Sequence, residues 1–277
     1  MKTLSIRAAV LAALSCSVVA QGHPPATIKA TEYPLSCTAA AKPLVQKGWD
    51  AATNMRSDQA REAFKQAVAT DPKCAVAQAM LAMHTPGVDG KKLFEQAIAK
   101  LSELTEVERL DLQAIEASRA GNPEKALAIA QRARDLAPGV FLLNLAVAEY
   151  AARLNDWGNV DLAARQATEL NPKSGAGWNL VGYAALNQHR NVEAVMAFRR
   201  YAEVAPTEPN AHDSLADALL ANNQLDEALA EYQSALDTSK GQFVWSWDGI
   251  ATVKALKGDY DGARAALTKQ RDAITDK

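Results

Sequence analysis

The sequence is poor in the β-branched residues that favour strands and rich in alanine, a balance that points to helix. It has no dominant charge: 30 Lys and Arg stand against 32 Asp and Glu, so no sequence-wide field marks a nucleic-acid binder. Beyond residue 20, no stretch reaches the roughly 18 consecutive apolar residues of a membrane helix, so no integral membrane segment is expected. Histidine is scarce. His23, His84, His189 and His212 form no two-histidine helical metal motif and do not sit with cysteine at zinc-ligand spacing. No nucleophile elbow is present. The run Gly87-Val88-Asp89-Gly90-Lys91-Lys92 has too few residues between its glycines for a phosphate loop, and Lys92 stands where Ser or Thr would bind magnesium. Asp259-Tyr260-Asp261-Gly262 lacks the remaining ligands of a calcium loop. The sequence therefore offers no catalytic residue, no metal site and no cofactor. An enzyme whose groups assemble from distant positions is the surviving catalytic alternative.

What is present begins with residues 1–20. Lys2 and Arg7 give a positive start, Ala8 to Leu14 form a short apolar run, and Val18-Val19-Ala20 offers a small-residue cleavage site. This is the layout of a secretory signal peptide, the alternative being a frayed cytosolic N-terminus, and it predicts an exported protein, periplasmic or secreted. A lipid anchor at Cys16 is a weaker option, because Ala13-Leu14-Ser15 matches the lipoprotein pattern poorly. Residues 21–35, with Pro24, Pro25 and Pro34, read as an extended lead-in. Cys37 and Cys74 then either pair in an oxidising compartment or pack as separate thiols.

From residue 36 to 277 the organising feature is a period. Ala126, Val160, Ala194 and Ala228 are 34 residues apart, and Ala263 follows at 35. Pro138, Pro172 and Pro206 keep the same spacing. Such a period marks one supersecondary unit stacked many times. In residues 175–208, Trp178, Val181 and Gly182 share one face of a first helix, while Ala194, Phe198 and Tyr201 share one face of a second. Pro206 ends that second helix.

This unit resembles the tetratricopeptide repeat, whose pattern of Trp, Leu-Gly, Ala, aromatic, Ala and Pro is occupied here by Trp178, Val181-Gly182, Ala194, Phe198, Tyr201 and Pro206. The template also fits residues 41–74, 107–140, 141–174, 209–242 and 244–277, and fits 75–106 in degenerate form. The resemblance implies an all-α, right-handed superhelical solenoid of about seven helix-turn-helix repeats. It also implies a non-catalytic scaffold that captures a protein or peptide on its concave face. The groove positions of that family fall here on Trp49, Asp111, Arg119, Glu149, Arg153, Asn179, Tyr183, Asn187, Asp213, Asp217, Trp245 and Asp248. Asp213, Asp217 and Asp248 make the C-terminal half acidic and suit it to a basic segment of a partner, unless they are ordinary charges on a solvated face. Trp245 is either an exposed anchor or a packed ring, and Tyr183 either a partner contact or a packed tyrosine. Trp157, Trp178 and Trp247 are expected in the core. No unit carries the Lys and Asn pair with which one branch of the family clamps a terminal carboxylate. The rival role is a structural or self-associating subunit of an envelope assembly, which exposed apolar residues on the outer helices would favour.

Overall fold

The computed structural model describes residues 32–275; the proposed signal peptide, Cys16 and most of the lead-in lie outside them. The described residues form fourteen α-helices and one 3-10 turn, with no strand. The helices are α1 (Lys42–Ala52), α2 (Ser57–Thr70), α3 (Ala75–Met83), α4 (Gly87–Ile98), α5 (Glu106–Arg119), α6 (Pro123–Leu136) and α7 (Phe141–Arg153). There follow α8 (Trp157–Leu170), α9 (Gly175–Asn187), α10 (Asn191–Val204), α11 (Pro209–Ala221), α12 (Leu225–Thr238), α13 (Ser246–Leu256) and α14 (Tyr260–Thr275). They pack in consecutive pairs, and each pair stacks on the next. The irregular second pair is short, and a 3-10 turn at Leu101–Glu103 takes up the slack before α5.

The period has a steric origin. Ala126, Val160, Ala194 and Ala228 are fully buried where paired helices cross, and Ala263 is nearly so. Beside them an aromatic ring fills the space left by a glycine: Phe64 lies on Gly48, and Phe198 on Gly182. A small residue at the crossing lets the backbones approach, and the neighbouring ring restores packing density.

A second period lies in the turns. Gly121, Asn155, His189, Asn223 and Gly258 all have positive φ, between 55° and 82°. Each follows a first helix as its left-handed stop. The next residue closes the helix end: Asn122, Asp156, Arg190, Gln224 and Asp259 donate their N–H to Ala117, Ala151, Ala185, Leu219 and Lys254. His189 is thus a turn residue.

Among helices that are not sequence neighbours, the closest approaches join first helices: α3 with α5, α7 with α9, α9 with α11, and α11 with α13. First helices therefore occupy the tighter, concave side of the curve. The curve also closes on itself. Ala176 N–H donates to the Thr53 carbonyl at 2.8 Å, and Gly175 N–H donates to Asn54 Oδ1 at 3.0 Å. The turn of the first pair thereby caps the start of α9 and satisfies two of its orphan donors.

Cys37 and Cys74 are joined in a disulfide with Cα atoms 4.8 Å apart. The end of the lead-in is anchored beside it. Thr38 N–H donates to Asp71 at 2.7 Å, and Ser36 donates from backbone and hydroxyl to the two oxygens of Glu108. Glu108 is fully buried and also completes the capping box at Thr105.

The last helix presents a mixed outer face. Arg264, Lys269 and Arg271 face outward, and Leu267 and Ile274 are half exposed beside them, because no further pair stacks on α14 among the described residues.

Candidate functional site

The concave wall carries two cavities of different chemistry. The N-terminal one, about 310 Å³, draws residues from five successive pairs. Trp49, Thr53 and Met55 come from the first, Met80, Met83 and His84 from the second, and Asp111 and Ile115 from the third. Leu142, Leu145, Glu149 and Tyr150 come from the fourth, and Ala176 from the fifth. Tyr33, from the lead-in, closes one end. Its ring lies 4.9 Å from that of Trp49, and its hydroxyl donates to Asp111 at 2.7 Å.

Burial dominates the electrostatics here. It pushes the Asp111 carboxyl up to about 6, against the lowering effect of the Tyr33 hydrogen bond, with the Glu108 charge adding to the rise. Glu149 keeps open surface yet is hemmed in by groove walls. Desolvation raises its pKa, Arg153 opposes the rise, and Asp111 reinforces it. His84 is held below the usual imidazole range by burial and by Arg61.

The C-terminal cavity, about 280 Å³, is lined by Asp213, Asp217, Tyr232, Trp245, Asp248 and Thr252. Asp213 and Asp217 stand one turn apart on α11, and Asp248 faces them from α13. Trp245 is 66% exposed, so its ring is an open wall of this cavity. Two of the acids also hold the fold together. Ser246 donates its hydroxyl to Asp213 at 2.5 Å, and the buried Tyr232 hydroxyl donates to Asp217 at 2.5 Å. Burial pushes Asp213 up to about 6, with Asp217 adding to the rise, and burial likewise raises Asp217.

The remaining sequence-selected residues are spread between these two places. Trp49 lies in the core under Tyr33, not at open surface as its groove position suggested. Arg153 makes no ion pair with Glu149 among the described residues; its guanidinium donates to Ser118 at 3.1 Å and lies 5.9 Å from the Tyr150 ring centroid. Asn179 is half-buried, and its Oδ1 has no hydrogen-bond partner among the described residues. Tyr183 packs edge-on against Phe198, and its hydroxyl meets Ser214 at 3.0 Å, so little of it is left for a partner. Asn187 is exposed at the end of α9 and donates back to the Tyr183 carbonyl. Trp157, Trp178 and Trp247 are half-buried, with Trp178 donating to the Pro172 carbonyl and Lys269 lying over Trp247.

The motifs set aside in the sequence take places in helices and turns. Gly87 to Lys92 form the opening turns of α4, Asp259 caps Gly262 and pairs with Lys254, and His212 bridges Glu231 and the Pro206 carbonyl. Among the described residues no three His, Cys, Asp or Glu converge to hold a metal ion. No described helix is long and apolar enough to cross a membrane.

Sequence reasoning missed the contact between the first turn and α9, and the role of Tyr33 as a lid. Neither leaves a local signal, since each depends on how far the stack has curved.

A tetratricopeptide repeat family model matches residues 157–209. The chain is similar to the protein O-mannosyl-transferase Tmtc1 of Drosophila melanogaster, 36% identical over 89 residues, which are 32% of this chain and 10% of that protein. The chain thus spans about a tenth of that relative's length. Among solved structures it resembles MamA from Desulfovibrio magneticus RS-1, 17% identical, with TM-score 0.58 over 63% of this chain and 98% of that one. It also resembles YrrB, described as a TPR protein with an unusual peptide-binding site, 17% identical, with TM-score 0.52 over 66% of this chain and 93% of that one. At these identities the structural likeness speaks for the fold.

Proposed function

We propose that this chain, folded as a stack of tetratricopeptide-like repeats, is a non-catalytic scaffold that captures a partner protein or peptide on its concave face. The carrying observation is the C-terminal cavity, where Asp213, Asp217 and Asp248 converge beside an exposed Trp245. Three carboxylates on one wall focus a negative potential, and an open indole adds a face that attracts cations. The partner segment is therefore basic, a lysine- or arginine-bearing stretch. Aromatic anchors of this kind carry a large share of interface energy. The preformed surface spares the ordering cost that a flexible receptor would incur.

We place this capture outside the cytoplasm, in the envelope or secreted. Two observations support that reading: the leader-like pattern of residues 1–20 and the Cys37–Cys74 disulfide, a bond that oxidising compartments favour. A lipid anchor at Cys16 remains the weaker variant of the same proposal.

The test is a titration with a fluorescent Lys-Ala-Lys-Ala-Lys-Ala peptide and its glutamate twin. Trp245→Ala and Asp248→Lys alter exposed residues, so both should fold. The basic peptide should bind, weaken with salt, and lose at least tenfold in affinity in each variant. Equal binding of the glutamate peptide, or unchanged affinity in both variants, refutes the reading.

One observation favours a second role. Leu162 and Met196 occupy the same slot of successive outer helices, and with Val192 all three are more than 60% exposed. An apolar strip on the convex side suits self-association into a structural subunit. A concentration-dependent dimer in light scattering that Met196→Glu dissolves would establish it.

A further inference from the structure

The N-terminal cavity is walled differently from the rest of the concave face. Thr53 and Ala176, which join the first turn to α9, are themselves part of its lining. The groove is therefore bounded on that side, and a polypeptide following the concave surface meets a wall. Its volume of about 310 Å³ lies at the small end of the range for ligand pockets. A small guest fits better than a chain.

The lining sets the chemistry of that guest. Met55, Met80 and Met83 line it, and Met55 and Met83 are 36% and 49% exposed although they border a hydrophobic space. Thioether side chains adapt to guests of varied shape. Two carboxyl groups, Asp111 and Glu149, enter the same space, and no lysine or arginine lines it. Arg153 donates to Ser118, Arg119 reaches only the Met83 thioether at the rim, 3.9 Å away, and burial together with Arg61 disfavours a charged His84. The Glu149 carboxylate takes no hydrogen bond or ion pair among the described residues, while Asp111 already accepts from Tyr33. An apolar pocket with a few convergent polar groups is the usual form of a small-molecule site. Here those groups are anionic.

We infer that this cavity binds a small amphiphilic amine, with its ammonium on Glu149 and Asp111 and its apolar body against the three methionines and Trp49. Such a guest supplies the charge that the lining lacks and covers the exposed thioethers. The site is distinct from the C-terminal acidic cavity and does not depend on what that cavity captures.

The test uses 2-phenylethylamine, with 2-phenylethanol and 3-phenylpropanoate as shape-matched controls, in calorimetric titrations of the whole protein. The amine should bind at least tenfold more tightly than the alcohol, and the carboxylate should not bind. Glu149→Gln removes a charge that holds no other group, so the fold should persist, and amine affinity should fall at least tenfold while alcohol affinity stays. Met83→Lys, at a half-exposed position, places an ammonium on the chain itself and should abolish amine binding. Helical circular dichroism confirms that both variants fold. Equal affinity for amine and alcohol, no effect of Glu149→Gln, or no binding at millimolar amine overturns the inference. Tighter binding of a lysine-centred peptide than of the free amine overturns the choice of a small guest.

Discussion

The contact between Gly182 and Phe198 is the best place to test whether steric necessity underlies the repeat. A Cβ built on Gly182 would meet Cε1 and Cζ of Phe198 at 2.5 Å and Cδ1 at 2.7 Å. Phe198 has no exposed surface, and Tyr183 packs edge-on against it at 5.1 Å, so the ring has nowhere to retreat. Two effects compete in Gly182→Ala. Alanine gains about 0.5–1 kcal/mol over glycine inside a helix. Forcing a methyl into a full core costs about 1–3 kcal/mol. With a rigid neighbour on one side and helix backbone on the other, the second effect should win, and the variant should lose about 1–2 kcal/mol net. Urea unfolding followed by helical circular dichroism measures this directly. Phe198→Ala removes Cδ1, Cε1 and Cζ together, so in that background the added methyl should be neutral or stabilising, with a coupling of about 1–2 kcal/mol between the two positions. A Gly182→Ala protein more stable than the parent, or strict additivity in the double variant, would show that helix propensity rather than close crossing explains the glycine.

Removing the disulfide by Cys37→Ala with Cys74→Ala should cost about 2–4 kcal/mol in the same unfolding assay, and two free thiols found in the untreated denatured protein would refute the bond. Asp111 sets a pH dependence. Its folded pKa of about 6 exceeds the ordinary 3.8, so the folded state holds the proton more tightly. The associated stability is full below about pH 4 and is lost as pH rises to about 6. Asp111→Asn should therefore flatten the fall between those values and raise stability at neutral pH by up to about 3 kcal/mol, and an unchanged pH profile would exclude Asp111 as its source.

Much of this architecture was legible because a close helix crossing permits few residue types. Ala194 and Ala228 must be small, so they recur in register and betray the period. Repetition also made the C-terminal acids readable, since Asp213 and Asp217 lie on one helix and Asp248 falls on the next first helix of the stack. What escaped reading is set by curvature accumulated over many units. Asn54 and Gly175 are 121 residues apart, and neither bears a mark of the other. Likewise the burial of Trp49 depends on Tyr33, whose place is fixed through Glu108 and Asp71 rather than by its own surroundings in the sequence. The turn residues stood between these cases. Gly121 and Gly258 announce a left-handed stop, but His189 takes the same backbone without the usual residue type.

Curvature also explains why one concave wall carries two chemistries. The bonds from Thr53 and Asn54 to the first residues of α9 bound the groove across the first five pairs, while the last two pairs stay open. In an open stack, each pair senses only its neighbours, and perturbations fade along the array. The contact across the groove breaks that rule by joining the first pair to the fifth. Helix α9 then belongs to both regions: its start is held by the first turn, and its Tyr183 meets Ser214, which sits between the acids of α11. Two regions that would touch only through their neighbours in an open solenoid thus share one helix.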